Sequence, residues 1–557
     1  MKRWHAIALV LALVAISTGR SLENGFAFDD VPIVVQNAQI HRLAPLREYA
    51  QQSYWPPKNL GDAYRPWTVW WLAIQYAVAG ETPLVFHLVN LLLTAGLALA
   101  VLALLGLVVS PAAAVVGAAI FAVHPVHVEA TGNVVGQGEL WMALFVTLAV
   151  TLYLRARRRG VPERGIRLGL AALYLLAAAA KEQGIVLPGL LLAGELVPLP
   201  GRASAPWRRL APTYLLLGVV GVGFLVGRYL VLGDLGGGPP AAGLQGLSLG
   251  DRALVMAPLA LDWIRLLVWP AKLSAQYSPP AQGGPPVWSL PAIAGLVAVG
   301  AAAALFVAGR RRAPVVAFGL AWFAVAILPV SNVLFPTGIL LAERTLLLPS
   351  VAVALVGSGI AGAVLSRRRR AAPVGVAVAT AALVTLGAIR SWQRQPVWRD
   401  NDTLFAQTIV DSPNGYRSYY VYARELFGRG WWATSAFNPN YERAKSLYRR
   451  AAELYGGDRR VFEDWGFILR AEGRCEQAVP VLERGVAAEP AETLARSRLF
   501  ECLLTLGRYR DARVVAEAGV AAGAAEFEAS AERARRLELG ADAPRAGDRP
   551  GGTVSTR

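Results

Sequence analysis

The fold is decided by an apolar run at residues 84–108, LVFHLVNLLLTAGLALAVLALLGLV, which contains no Asp, Glu, Lys or Arg. A helix needs about 20 apolar residues to cross the hydrocarbon core of a bilayer, and this run provides them. Similar runs lie at 4–20, 111–123, 139–154, 166–180, 184–200, 211–232, 288–308, 313–330, 345–365 and 372–390. The pattern predicts an all-α, polytopic transmembrane helical bundle with about eleven spans.

Composition supports a membrane protein. Hydrophobic residues make up 55% of the 557 residues and charged residues only 17%, and the mean hydropathy is +0.41. An ordinary soluble protein of this length is less apolar. The net charge of +17 does not indicate nucleic acid, because the arginines form short clusters between apolar runs rather than one basic face. We expect a lipid bilayer and no nucleic acid as partner.

The arginine clusters predict the orientation, because cytoplasmic loops carry an excess of Lys and Arg. The first run, which follows Lys2 and Arg3, is expected to be an uncleaved anchor with the N-terminus in the cytoplasm. Counting crossings from there places four clusters in cytoplasmic loops: Arg155–Arg159, Arg202–Arg209, Arg310–Arg312 and Arg367–Arg370. The short run 111–123 is critical, since its loss would invert every later loop. The sequence thus predicts a multi-pass protein of a bacterial inner membrane.

The C-terminal part repeats with a period of 34 residues, the length of a tetratricopeptide-repeat (TPR) helix pair. Gly473, Ala478 and Leu482 recur as Gly507, Ala512 and Ala516, and most such residues serve packing. We expect a transmembrane domain at 1–390 with an external loop at about 20–83, an extracytoplasmic α-solenoid of TPR repeats at 391–535, and a disordered tail at 536–557. Cys475 and Cys502 lie in the repeats and form neither a disulfide framework nor a zinc-ligand spacing.

Two adjacent carboxylates, Asp29 and Asp30, follow the first span directly. Neighbouring carboxylates raise each other's pKa, and a carboxylate at the membrane surface can take a proton from an incoming hydroxyl. The same residues could instead cap a helix or form a turn through local hydrogen bonds. Asp29 and Asp30 are the catalytic candidates, and the sequence does not decide between them.

Three further polar segments share the external face. His124, His127 and Glu129 leave the third span, where they could bind a metal, a phosphate or a sugar, or simply pair with one another. Lys181 and Glu182 lie between two apolar runs, and Glu343 and Arg344 precede another. The cations could hold a phosphate, with Arg344 offering the better bidentate geometry; each charged pair could also be an interfacial pair without a ligand.

These motifs together resemble one family, the transmembrane and TPR-containing proteins, which are membrane O-mannosyltransferases of the GT-C fold. The resemblance rests on Phe28-Asp29-Asp30, Tyr64-Arg65-Pro66, His87–Asn90, His124–Glu129, Lys181–Gly184 and Ala342–Arg344. It implies a polyprenyl-phosphate-linked sugar donor, a hydroxyl of an extracytoplasmic protein as acceptor, and Asp29 or Asp30 as catalyst. Arg65 joins the expected substrate-binding residues. The chain departs from the family at Thr94, Gln137, Glu139, Thr345 and Leu347, which leaves the sugar open among mannose and other hexoses or pentoses.

The leading hypothesis is therefore an inverting, polyprenyl-phosphate-dependent glycosyltransferase whose TPR groove binds the acceptor or a partner protein. The leaving phosphate needs no strong acid, so a base near Asp29 and a cation such as Lys181 or Arg344 would suffice. No cofactor is certain, although the carboxylates and histidines permit a divalent metal. The rival hypothesis is a non-catalytic TPR membrane scaffold for envelope proteins; a transporter ranks last because no inverted repeat is evident.

Overall fold

The computed structural model describes residues 2–56, 63–235, 240–367, 371–428 and 439–540, which are all-α without a β-strand. The chain forms two compact units, Met1–Pro413 and Asn414–Arg557. The sequence instead places the domain boundary after residue 390, and those domain ranges stay a prediction. The disordered tail is expected to begin at residue 536, but residues 536–538 still belong to the helix Phe527–Glu538. The part of the expected tail beyond 540 lies outside the described residues, as do three arginines of the cluster at 367–370.

The first unit contains the helices α1 (Arg3–Thr18), α2 (Leu46–Tyr49), α3 (Pro66–Ala79), α4 (Pro83–Val108), α5 (Pro111–Ala122), α6 (Val128–Gly132), α7 (Gln137–Arg159), α8 (Arg164–Ala180), α9 (Leu187–Leu196), α10 (Trp207–Leu232), α11 (Leu249–Val268), α12 (Leu290–Gly309), α13 (Pro314–Ile327), α14 (Val351–Ser366), α15 (Ala372–Arg394) and α16 (Asn401–Asp411). Pro66, Pro83, Pro111 and Pro314 are first residues of their helices. Proline suits that position because its missing N–H would have no partner there and its φ is already helical.

Six helices within the described residues are long and apolar enough to cross a membrane: Arg3–Glu23, Pro83–Val108, Val134–Arg159, Trp207–Leu232, Leu290–Gly309 and Ala372–Trp398. A seventh span results if the pair Pro111–Ala122 and Pro125–Gly132, bent by 46°, counts as one. The helices Pro314–Val330 and Val351–Ser366 are apolar but shorter. The chain is thus an all-α, multi-pass membrane protein, and eleven spans stay a prediction.

Helix α7 is the most enclosed of these six long helices, because 83% of the residues in its most apolar stretch are buried. It packs against α4, α8 and α9, and its buried side chains, such as Leu140, Val146 and Tyr153, belong to the largest apolar cluster. By contrast, α12 and α15 expose large apolar side chains along their length, including Val297, Leu305 and Val378. Apolar surface on long helices suits contact with lipid rather than water.

The second unit is a series of helices, α17 (Tyr416–Gly428), α18 (Tyr441–Leu454), α19 (Arg459–Ala471), α20 (Cys475–Ala488), α21 (Thr493–Thr505), α22 (Tyr509–Ala521) and α23 (Phe527–Glu538). Gly473 and Gly507 both adopt a positive φ, 73° and 72°, just after α19 and α21. Glycine suits this left-handed position at a helix end. The two turns are one sequence period apart, so the TPR solenoid predicted from the 34-residue repeat is confirmed.

Candidate functional site

Arg344 is the centre of a buried ionic cluster. It lies in the single helical turn Glu343–Leu346 that precedes α14. Its guanidinium reaches Asp29 (Nη2 to Oδ2, 3.3 Å), Glu129 (Nη1 to Oε1, 2.9 Å) and Glu139 (Nε to Oε1, 3.5 Å). Its backbone N–H also donates to Oε2 of Glu129 at 2.9 Å. One arginine therefore joins three carboxylates from the first loop, α6 and α7.

A second set of charges continues the cluster. Lys181 forms an ion pair with Glu139, and Glu182 accepts from Arg65 at 3.0 Å and lies 3.4 Å from Nη1 of Arg228. The Arg65 guanidinium lies over the Tyr54 ring, 4.7 Å from its centroid. We call the whole set the ionic cluster: Asp29, Arg65, Glu129, Glu139, Lys181, Glu182, Arg228 and Arg344. Four cations and four carboxylates balance each other there.

Local sequence explains how these residues meet. Pro66 starts α3 and leaves Arg65 at the N-terminal end of that helix. Helix α8 ends at Ala180, so Lys181 is its cap and Glu182 begins the short turn that leads into α9. Gly184 permits this turn, because a Cβ there would collide with the backbone of Ala177. Arg65, Lys181 and Glu182 thus lie at helix ends, beside the apolar runs, whereas Arg228 lies within α10.

The cluster is partly exposed, and we call the part formed by Asp29, Arg65, Glu182 and Arg344 its open side. The Arg344 and Asp29 side chains are 17% and 16% exposed, and Arg65 and Glu182 are similarly accessible, whereas Glu129 and Glu139 are only 2% exposed. Burial lowers the pKa of Lys181, and the nearby arginines lower it further against the opposing effect of Glu139. An anion arriving at the open side would therefore meet Arg344 and Arg65 first, with Lys181 behind them.

Asp29 and Asp30 occupy different environments. Asp30 is fully buried and accepts from the backbone N–H groups of Ala27 (3.2 Å), Val134 (3.2 Å) and Val135 (2.8 Å). Burial raises the pKa of Asp30 to about 7, although these donors act to lower it. Its carboxyl therefore fastens the first loop to the turn before α7. Asp29 instead turns to Arg344 at the accessible side of the cluster.

The two histidines are engaged within the protein. His124 Nε2 lies 3.0 Å from the Leu267 carbonyl oxygen, and its Nδ1 accepts from the Val126 N–H at 3.3 Å. His127 Nε2 lies 2.7 Å from Ser350 Oγ. Both rings are buried, with centroids 5.5 Å apart. These contacts fasten the bend between α5 and α6 to α11 and to the start of α14.

Glu343 points away from its neighbour Arg344. Its Oε1 accepts from the Ser274 N–H at 2.5 Å and from the Tyr277 hydroxyl at 2.6 Å. Burial raises the pKa of Glu343 to about 8, partly offset by Arg394. This carboxyl holds the loop after α11 rather than contributing to the ionic cluster.

Within the described ranges, no group of three or more His, Cys, Asp or Glu side chains is arranged to hold a metal ion. The carboxylates of Glu129, Glu139 and Asp29 each contact the Arg344 guanidinium. Each of them is thus already paired with a cationic side chain. The partly exposed Arg344 and Arg65 have hydrogen-bond donors that suit an anion.

The structure brings together Asp29, Arg65, Glu129, Lys181, Glu182 and Arg344 from the sequence-predicted set and places Asp30, His124, His127 and Glu343 in supporting contacts around it. Sequence reasoning did not select Glu139, Tyr54 or Arg228. Glu139 had a signal, because an ionisable residue at the start of an apolar run marks a functional candidate. Arg228 had the same signal, because it lies inside the apolar run 211–232. Tyr54 had none, since only tertiary packing brings it to Arg65.

The chain is similar to several known proteins. Residues 469–535 match the tetratricopeptide repeat family. The chain is 27% identical over 482 residues to protein O-mannosyl-transferase TMTC4 of Homo sapiens, covering 76% of this chain and 64% of that protein. It is 31% identical over 198 residues to protein O-mannosyl-transferase TMTC3 of Homo sapiens, covering 34% of this chain and 21% of that protein. The oligosaccharyltransferase of Archaeoglobus fulgidus in the apo form aligns at 13% identity over 82% of this chain and 60% of its own, with a TM-score of 0.41.

The fold and the cluster define a class: multi-pass helical membrane proteins with a C-terminal TPR solenoid and a buried ionic site. Within that class, the predicted resemblance to the transmembrane and TPR-containing protein O-mannosyl-transferases is confirmed. The chain spans 64% of the length of the human TMTC4 protein that it matches.

Proposed function

We propose that this chain is an integral-membrane glycosyltransferase that moves a sugar from a polyprenyl-phosphate carrier to a hydroxyl of an extracytoplasmic protein. The observation that carries the proposal is the contact between Asp29 and Arg344, a carboxylate and a guanidinium 3.3 Å apart at the open side of the ionic cluster. Transfer from a phosphate carrier needs a proton acceptor and a cation close together. The named O-mannosyl-transferase relatives support the same reaction class.

Asp29 is the better candidate for the base. Asp30 already accepts three backbone N–H groups and is completely buried, so an acceptor hydroxyl cannot approach it without dismantling the turn. Asp29 is partly exposed, and it pairs with Arg344. A phosphate of the ligand can take the place of Asp29 in the contact with Arg344. Binding of the donor phosphate to Arg344 would then free the Asp29 carboxylate for the acceptor hydroxyl.

The chemical step balances with these groups alone. The acceptor oxygen forms a bond to the anomeric carbon while the bond from that carbon to the phosphate oxygen breaks. The hydroxyl proton passes to Asp29, and the bonding electron pair leaves with the polyprenyl phosphate. Arg344, with Lys181 and Arg65 behind and beside it, would stabilise the charge that develops on that phosphate. Attack opposite the leaving group inverts the anomeric configuration.

The supporting contacts acquire roles in this scheme. Glu129 and Glu139 hold Arg344 from the buried side, and Glu182 orients Arg65 through a bond of 3.0 Å. His124, His127 and Glu343 would support substrate binding by fixing the segments that carry Glu129 and Arg344. In this proposal the cluster faces away from the cytoplasm in an inner membrane, and the TPR groove binds the acceptor or a partner protein.

The test is mass spectrometry of glycoproteins from cells that carry the wild-type chain, Asp29→Asn, or a control at matched membrane levels. Glu23→Gln is the matched control, because Glu23 is 75% exposed, is the last residue of the first span and pairs with Arg20 at a distance of 3.9 Å. We expect a glycan on Ser or Thr to disappear in Asp29→Asn and to persist in Glu23→Gln. The mass of the lost glycan would identify the sugar class.

An unchanged glycan profile in Asp29→Asn would contradict the role of Asp29 as base. If deletion of the whole chain also leaves every protein and lipid-linked glycan unchanged, the transferase proposal fails. A non-catalytic TPR scaffold would then be the better explanation. In that case the same cells should lose partners of the repeat unit from membrane complexes.

A further inference from the structure

The residue before Asp29 has an unusual backbone. Phe28 adopts φ = +53°, in the left-handed region that residues with a side chain rarely occupy. A non-glycine residue stays there only when surrounding contacts fix it, and such residues concentrate at functional sites. The contacts that fix Phe28 therefore determine where the Asp29 carboxylate points.

Those contacts come from α16, which follows the last long apolar helix. The Phe28 N–H donates to Asn401 Oδ1 at 2.6 Å, and the Phe28 ring meets the Phe405 ring edge-on, with centroids 5.7 Å apart. Asn401 is the first residue of α16, whose N-terminus is capped by the Asp400 carboxylate through the Thr403 N–H at 2.8 Å. The cap holds Asn401 in place beside the strained residue.

The chain on either side is also tied down. Before the turn, the Gly25 N–H donates to the Arg399 carbonyl oxygen at 2.9 Å, and the Asn24 side chain donates to the Gln395 carbonyl oxygen at 3.1 Å. After the turn, Asp30 is fastened to the backbone of Val134 and Val135. Asp29 thus lies between Phe28, which is bound to α16, and Asp30, which is bound to the turn before α7.

We propose that Asn401 is a positioning residue for Asp29: its side-chain oxygen holds the Phe28 backbone in the conformation that directs the Asp29 carboxylate to Arg344. This inference rests on the proposed function and extends it. It states that a residue beyond the last span orients the base. Nothing about Asn401 in the sequence indicates this role. Asn401 lies 373 residues after Phe28 in the sequence.

Asn401→Ala and Asn401→Asp separate positioning from simple packing. Alanine removes the acceptor, whereas aspartate keeps a carboxylate oxygen in its place. Gln407→Ala is the control on the same helix, since the Gln407 side chain donates to Asp411, one turn away, at 2.9 Å. All variants are made in the full-length chain and purified in lipid nanodiscs.

The first readout is hydrogen–deuterium exchange of the peptide that contains the Phe28 amide. We expect Asn401→Ala to speed exchange at that amide by about tenfold, the loss of one net hydrogen bond, and Asn401→Asp and Gln407→Ala to leave it protected. Unchanged exchange in Asn401→Ala would overturn the proposal. This readout does not depend on any catalytic activity.

The second readout is transfer from a polyprenyl-phosphate sugar to a Ser/Thr peptide pool. A misdirected base predicts a fall in kcat of about 10- to 100-fold in Asn401→Ala, with KM for the lipid donor unchanged and with kcat regained in Asn401→Asp. Faster exchange with wild-type kcat would refute the positioning role. If the wild-type chain transfers no sugar, the proposed function fails, and the exchange result alone decides whether Asn401 holds the turn.

Discussion

Helix α7 carries a buried ionic group at each end, and the two ends differ. Glu139 lies in its first turn, within the ionic cluster, and Arg157 lies in its last turn. Eighteen residues at a rise of about 1.5 Å separate them by roughly 27 Å. Arg157 contacts Glu195 through two bonds, 2.7 and 3.1 Å long, and the Ala203 carbonyl oxygen at 3.0 Å. Its side chain is completely buried.

The comparison shows that buried charge alone does not define a site. At the Arg157 end, the central pair of Arg157 and Glu195 is almost completely buried. Tyr153 donates to Glu195 at 2.8 Å, and the partly exposed Arg202 also contacts Glu195, so this central pair is enclosed by protein partners. At the Glu139 end, Arg344 and Asp29 are partly exposed and remain open to a ligand. We infer that the Arg157 end maintains the fold and that the Glu139 end binds substrate.

The largest effect should come from breaking the enclosed end. Arg157→Met leaves Glu195 with a buried charge and without its main partner, which typically costs about 3–5 kcal/mol. We expect a much lower unfolding temperature in detergent but normal transfer activity per folded molecule. Arg155→Met, an exposed arginine on the same helix, is the control. A stable Arg157→Met protein that has lost activity would contradict the assignment of the two ends.

At the open end, Arg344→Lys should lower activity more than stability. Lysine keeps the positive charge but cannot contact Asp29, Glu129 and a phosphate together. Loss of a preorganised charge-stabilising donor typically costs about 10²–10³ in rate, or about 3–4 kcal/mol. The measurement is kcat/KM for the polyprenyl-phosphate sugar, with Arg265→Lys, a half-buried arginine outside the ionic cluster, as the control. Wild-type kinetics in Arg344→Lys would exclude Arg344 from the reaction.

Asp30 should make the stability of the protein depend on pH. Its pKa is raised from 3.8 to about 7 on folding, so the folded protein holds a proton that the unfolded chain releases between these values. Stability must therefore fall as pH rises from about 4 to 7, with a slope of at most about 1.4 kcal/mol per pH unit. Unfolding by denaturant across this range should show the slope in wild type and a flatter profile in Asp30→Asn. An equal slope in wild type and Asp30→Asn would show that Asp30 is not the source of the pH dependence.

Glu343 should give the smallest effect. Burial raises its pKa to about 8, so its carboxyl is mainly neutral at pH 7, and Glu343→Gln keeps the acceptor oxygen for Ser274 and Tyr277. We expect a change in unfolding free energy below about 1 kcal/mol at pH 7. Glu343→Ala, which leaves both donors unsatisfied, should cost about 1–3 kcal/mol. Equal losses in the two variants would show that the charge of Glu343, not its hydrogen bonds, matters.

Asp29 and Asp30 illustrate how far the sequence reaches into the site. Because they are adjacent, the sequence does not distinguish them. Either residue could stabilise a turn or act as the base. Only the fold brings the N–H groups of Val134 and Val135 to Asp30 and the guanidinium of Arg344 to Asp29. The His-x-x-His segment is similar: its polarity marks it as noteworthy, but its partners, Leu267 and Ser350, are too distant in sequence to foresee.

The sequence by itself determined the all-α class, the membrane location and the TPR solenoid. These properties depend on hydrophobic run length and a 34-residue period, which are local and repeat along the chain. The number of spans was harder to predict from the sequence. The helices α8, α9, α13 and α14 lie in predicted spans but are shorter than the helices that are long enough to cross a membrane. Tertiary structure alone decided which charges meet at Arg344, which carboxylate is accessible and that Asn401 holds Phe28. Those contacts join residues hundreds of positions apart, and burial, which sets their energies, exists only once the helices have packed.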